Sequence, residues 1–543
     1  MSAPIVQPGT RPGTEWWRHA VVYQVYVRSF ADSDGDGIGD LPGITSRLPY
    51  LRDLGVDAVW VTPFYRSPQH DHGYDVADYL DVDPQFGTLA DADALVSQAH
   101  ELGLRVIVDL VPNHTSHEHV WFRAALASEP GSPERARYLF RTGRGVHGSE
   151  PPNNWQSVFG GPAWTRIDHT DQWYLHLFDT SQPDLDWRNP DVPAMFADVL
   201  RFWLDRDVDG FRVDVAHGLL KEASLRDQRV TSAEKATFED AMSHAAHEGG
   251  PHIADEPMWD QPEVHDVYRQ WHRILAEYDG DRMAVAEAWT SSVESNARYV
   301  RPDELNQAFN FDWVLAPWSA GAFAGVIERT LPALAAVSGT PTWVLSNHDV
   351  HRHATRYGGG EAGRARARAA TLLSLALPGS AYLYQGEELG LEEIDVAPAD
   401  RHDPSWFRTG KAGRDGCRVP IPWTGTEPPY GFGPGSGQPW IPQPDDWAPL
   451  TVDAQEGDPG STLEFYREAL GARRGVARDA GTEVDVHVDG DVLSVRRGAL
   501  TVVVNCGSAP TALPAGELVI ASGPVGDDLP PDTAVWVRLS SAG

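Results

Sequence analysis

The sequence predicts an α/β fold: an eight-stranded (β/α)8 barrel with a small domain inserted after the third strand and an antiparallel β domain at the C-terminal end. Three observations lead there. Short β-branched runs alternate with helical patterns, the texture of parallel strands joined by crossover helices. There are eight such runs, which asks for a closed barrel rather than an open sheet. The chain has 543 residues, far above the roughly 150 of one ordinary domain, so additions to the barrel are expected.

The strands read in order as VVYQVYV from Val21, AVWVTP from Ala58, RVIVDL from Arg105 and GFRVDV from Gly210. MAVAEAW from Met283, AFNFDW from Ala308, TWVLSNHD from Thr342 and AYLYQGEE from Ala381 complete the set. Between the third and fourth lies a stretch rich in Gly, Pro, Asn and Trp, from about Thr115 to Asp186. It is too long for an ordinary βα loop. After the helical EFYREALGARR the texture becomes VDVHVDGDVLSVRRGALTVVVN, alternating and broken by DG and RG turns. The expected division is a barrel over 1–114 and 186–480, an insertion over 115–185 and a β domain over 481–543.

Composition narrows the function. Acidic residues outnumber basic ones 78 to 44, for a net charge of −34. That speaks against a nucleic-acid partner and against an anionic membrane surface. The N-terminus has no basic segment followed by an apolar run, and no stretch of about 18 apolar residues occurs. The two cysteines, Cys417 and Cys506, do not suggest a disulfide framework. A cytoplasmic location is expected. The count of 20 Trp suits flat sugar-stacking surfaces as well as a core.

In such a barrel, chemistry sits at the C-terminal strand ends. Those ends carry Asp109, Asn113 and His114 after the third strand, Arg212 and Asp214 on the fourth, Glu287 on the fifth, and His348 and Asp349 after the seventh. Three carboxylates on three strands converge, and each raises the others' pKa. Glycoside hydrolysis needs such a set: one carboxylate attacks the anomeric carbon and another acid protonates the leaving oxygen. Arg212 shares a strand face with Asp214 and can hold it ionised. Asp109 and Asn113 fit structural hydrogen bonding as well as ligand contact.

The segments DLVPNH, GFRVDVAH, AVAEAW and SNHD resemble, in order, the four signature regions of the α-amylase superfamily, glycoside hydrolase family 13. QPDLDW at Gln182 and YQVYVRSFADSDGDGIGDLPGI near the start are similar to its oligo-1,6-glucosidase and α-glucosidase branch. The resemblance runs from about Trp16 to Trp423 and implies a retaining enzyme without a catalytic cofactor. It implies Asp214 as nucleophile, Glu287 as acid/base and Asp349 as transition-state stabiliser. It further implies sugar contacts from Tyr74, as a stacking face, and from His114, His348, Phe159 and Gln182, with His217 on the leaving-group side.

The loop from Asp32 to Asp40 has oxygen donors at alternate positions, the spacing of a hard-cation loop, but position twelve is Gly43 and not the Glu of an EF-hand. The resemblance implies a structural Ca2+ or Mg2+ held by Asp32, Asp34, Asp36, Asp40 and the Ile38 carbonyl.

The same resemblance speaks to the substrate. Asp75 in GYDVADY matches a carboxylate set against the terminal glucose, and Arg418 in RDGCRVPIPW matches an Arg of the branch. Gly416-Cys417 departs from the usual pattern there. An Asp75–Arg418 pair would close the cleft into a pocket for one glucose, making the enzyme exo-acting on short α-glucosides. Val215 goes with α-1,6 preference in part of the branch, but Ala216-His217 departs from it. VDVAHGLLKEASLRD and HIADEPMWDQPEVHDVYRQW look more like actinobacterial α-glucosidases, so the bond is not fixed. One rival is a transferring or isomerising relative of the trehalose synthase, sucrose isomerase or sucrose phosphorylase type. Another is a non-catalytic transporter accessory subunit, which would have a membrane helix and lack the carboxylates. The expected partner is a small oligosaccharide. Oligomeric state is not legible.

Overall fold

A computed structural model describes residues 5–6, 15–229, 256–435, 437–478 and 480–539. Residues 252–255 of the HIADEPMWDQPEVHDVYRQW segment, the extreme N-terminus and the last four residues of the expected β domain lie outside the described residues.

Eight parallel strands form the barrel: β1 (Val21–Val25), β2 (Ala58–Val61), β3 (Arg105–Leu110), β4 (Gly210–Val213), β5 (Met283–Ala286), β6 (Gln307–Ala308), β7 (Thr342–Val344) and β8 (Ser380–Tyr384). The sheet runs β6-β5-β4-β3-β2-β1-β8-β7. These strands are buried on both faces, as enclosed parallel strands must be. Crossover helices cover the outside, for example Leu89–Glu101, whose Thr88 and Asp91 form a reciprocal capping box.

The sixth strand is shorter than its sequence suggests. AFNFDW is not extended throughout: Asn310 caps a short helix, Phe311–Val314, by accepting from the Trp313 amide. An Asn with this backbone-capping geometry ends a strand, whatever aromatic residues follow. The β6–β7 seam has no ladder pairing among the described residues. Side chains tie β6 to the next strand but one: Gln307 donates to Ser380 Oγ at 2.9 Å and accepts from Tyr382 at 2.7 Å, both on β8.

Between β3 and β4, three antiparallel strands, Phe140–Thr142, Gln172–Leu175 and Trp164–Arg166, form a separate small sheet. It packs over its own core of Leu139, Trp155, Trp164 and Leu175. Its stem closes at the barrel mouth, where His114 bridges to Asp184. The C-terminal sheet is antiparallel and turns at Gly490 (φ 58°) and Gly498 (φ 52°), the expected DG and RG turns. Ile5–Val6, counted with the barrel from sequence, pairs with Glu483–Val484 and adds a strand to this sheet.

Candidate active site

Strand register assembles the mouth. Asp109 of β3 lies opposite Arg212 of β4, and Arg212 opposite Val285 of β5. Alternation then puts Asp214 on the face of Arg212 and Glu287 on the face of Val285. Arg212 is fully buried. Its Nη1 donates to Asp109 Oδ1 at 2.9 Å and to Asp214 Oδ1 at 2.5 Å, and its Nη2 lies 3.3 Å from Glu287 Oε2. One guanidinium therefore touches three carboxylates.

Val215 has φ 46°, a left-handed conformation that a β-branched residue adopts at a cost. In it, the Val215 amide donates to Glu287 Oε2 at 2.7 Å. The backbone strain next to Asp214 thus coincides with a donor on Glu287.

Burial pushes the Asp214 carboxyl well above the usual range. Glu287, Asp109 and Asp349 push it the same way, and Arg212 opposes them. Asp109 is raised to about 6 by burial, again against Arg212. Burial also works against charge on Asp349, but His348, Arg414 and Arg418 outweigh it and hold that carboxyl well below the usual range. The mouth thus joins one firmly ionised carboxylate, Asp349, to Asp214 and Asp109, which burial pushes up and the Arg212 cation pulls back toward the charged form.

The far end of the mouth is closed by Arg414. It pairs with Asp71 at 2.8 Å, with Asp349 at 2.9 Å and with Asp403 at 2.5 Å, and lies 5.0 Å over the Phe159 ring. Gln182 donates to Asp71 at 3.0 Å.

The Alpha amylase, catalytic domain family model matches residues 24–478. The chain belongs to the α-amylase family. It is a glycoside hydrolase of that family. It is 39% identical over 497 residues to a probable alpha-glucosidase of Rhizobium meliloti (strain 1021), covering 90% of this chain and 88% of that one. It is 35% identical over 500 residues to an oligo-1,6-glucosidase of Parageobacillus thermoglucosidasius, covering 84% of each. A solved structure titled as an alpha-glucosyl transfer enzyme superimposes with TM-score 0.85 at 38% identity, covering 97% of this chain and all of that one.

Within this α-amylase scaffold the other expected residues fall as follows. His348 stacks on Tyr74 with ring centres 5.2 Å apart, and its Nε2 lies 3.3 Å from Asp349 Oδ2. Tyr74 also donates to Asp109 at 3.1 Å. His114, which burial lowers to about 4, stays neutral and contacts the Tyr74 carbonyl and Gln182, both at 3.2 Å. Asn113 is structural: it donates to Asp184 at 3.1 Å and accepts from the buried Lys221 at 2.8 Å. His217 stacks on Trp259 with centres 4.8 Å apart, and burial lowers it to about 3.

The Asp75–Arg418 pair is not formed. Asp75 is fully buried and accepts from Ser67 Oγ and from the amides of His70 and Asp71 at 2.9–3.0 Å. It shapes its own loop, where Gln69 (φ 65°), His72 (φ 52°) and Gly73 (φ 106°) turn the chain. Arg418 instead donates to the His348 carbonyl at 2.8 Å and to Asp349 at 3.0 Å. The pair that closes the end is Asp71–Arg414, which sequence reasoning missed. Both lie within four residues of the positions chosen, in the same two loops. Asp32, Asp34 and Asp40 bring carboxylate oxygens within 4.8 Å of one another. Asp36 falls outside this group and accepts from the Ile38 amide at 2.8 Å.

Burial raises Asp71 to about 6, with Arg414 and Arg418 opposing. It is ionised above that pH and loses its pairing with Arg414 below it. Arg414→Ala removes the counter-charge. The variant is expected to lose roughly 10- to 100-fold in kcat/KM, the scale of a charged hydrogen bond. Its acidic limb should also move to higher pH. Initial rates on maltose from pH 4 to 8 check both.

Proposed function

We propose that the protein is a retaining, exo-acting α-glucosidase that releases α-glucose from the non-reducing end of short α-glucosides. The observation that carries this reading is the Arg212 guanidinium, which contacts Asp214 and Glu287 together, in a mouth closed by Asp71–Arg414. In this reading Asp214 attacks the anomeric carbon while Glu287 protonates the departing oxygen, giving a covalent glucosyl-enzyme. Glu287 then takes a proton from water, which attacks the same carbon and frees Asp214. Asp349, kept ionised, accepts from sugar hydroxyls, and Tyr74 and His348 line the glucose site. The Asp71–Arg414 bridge recognises the terminal glucose. The alpha-glucosidase and oligo-1,6-glucosidase relatives support this assignment.

The likeness to an alpha-glucosyl transfer enzyme favours a second outcome from the same intermediate, in which a sugar hydroxyl replaces water. Product analysis on maltose, isomaltose and sucrose separates the two. Among the described residues no helix is long and apolar enough to cross a membrane. A cytoplasmic location agrees with two free cysteines.

We also propose a structural Ca2+ or Mg2+ in the loop before helix Leu41–Leu54. The carboxylates of Asp32, Asp34 and Asp40 suit a hard cation. The ion would neutralise three clustered charges and brace the start of that helix. Added Ca2+ or Mg2+ should raise the melting temperature of the metal-stripped protein. It should do so equally in Asp36→Ala but not in Asp34→Ala; equal responses in all three would refute the assignment.

The product is expected as α-glucose before mutarotation, in a proton NMR time course on maltose. First appearance of the β-anomer would overturn retention. Starch should be nearly untouched, and internal oligosaccharides should not be released.

A further inference from the structure

Both oxygens of Glu287 accept hydrogen bonds, and they differ in kind. Oε2 takes the Val215 amide at 2.7 Å and faces Arg212 at 3.3 Å. Oε1 takes the indole Nε1–H of Trp289 at 2.8 Å. Oε2 is thus held by backbone and by the buried cation. Oε1 keeps a second lone pair and is the oxygen with room to exchange a proton. The group that fixes its direction is Trp289.

Trp289 is itself fixed. Its ring stacks on Phe311 with centres 3.6 Å apart and planes 18° apart. Phe311 opens the helix that Asn310 caps. On their outer side the two rings border a cavity of about 710 Å³, also lined by Asn296, Ser319 and Thr330. The stack and the hydrogen bond both hold the indole in place.

We propose that Trp289 is a positioning residue for the acid/base, orienting Glu287 Oε1 and donating to its carboxylate form. A donor to a carboxylate stabilises its ionised form and lowers its pKa. The proposal rests on the reading of Glu287 as acid/base. Arg212 and Asp214 of β4 face Glu287, His217 bonds to its backbone, and Asp109 of β3 and Asp349 of the β7 end act on the same Asp214. The Phe311 stack leads from Asn310 through Trp289 to Glu287 and ties the shortened β6 to the chemistry.

The test is the pH profile of kcat/KM for Trp289→Phe, which keeps an aromatic face on Phe311 and removes the N–H. The basic limb, which reports loss of the Glu287 proton, should move upward by at least about half a pH unit. The loss in kcat/KM should be greater on maltose than on a dinitrophenyl glucoside, whose leaving group needs no proton. Phe311→Leu keeps the donor but loosens its stack, and should move the limb the same way by less. A limb unmoved in Trp289→Phe, with equal loss on both substrates, would overturn the proposal. Glu287→Gln run alongside separates the two readings. If it spares maltose turnover, the acid/base assignment itself fails. If it abolishes maltose turnover while Trp289→Phe leaves the limb in place, only the positioning role is lost.

Discussion

Arg212 is a cation sealed at the centre of the barrel mouth, in contact with Asp109, Asp214 and Glu287. Four carboxyls, including Asp349, gather at this mouth. Without Arg212 their mutual repulsion and desolvation would protonate or scatter them. With it, they are gathered into one electrostatic unit in which charge and protons are shared. Asp109 is then the base of the assembly: it takes Arg212, Trp60 and Tyr74 together and so fixes the ring that stacks on His348.

A second arginine does the same at the far end of the mouth. Arg414 gathers Asp71, Asp349 and Asp403 from three separate loops. Asp349 is the link between the two centres, since Arg414 and Arg418 keep it ionised while it stays within the field of Arg212. Closing the pocket and holding that carboxylate charged are therefore one structural act.

The barrel and the four carboxyls at its mouth were legible because strands announce themselves. A β-branched run fixes a period of two, and the period fixes which of Arg212, Val213 and Asp214 share a face. Loops carry no such period. In HDHGYD two aspartates lie four residues apart, and the choice between Asp71 and Asp75 depends on the left-handed turns at His72 and Gly73. The sequence marked that loop but could not say which carboxylate it turns inward to its own amides. Arg414 and Arg418 posed the same problem. The early end of β6 follows from an Asn310 cap that the aromatic run masked.

In the proposed mechanism Asp214 becomes covalently glucosylated. The most direct measurement is mass spectrometry of the protein after incubation with a 5-fluoro-α-glucosyl fluoride, which slows both steps but forms the intermediate with a good leaving group. One added fluoroglucosyl group is expected, on the peptide carrying Asp214 and absent from Asp214→Ala. A label on Glu287 or Asp349, or turnover with no covalent adduct, would contradict it.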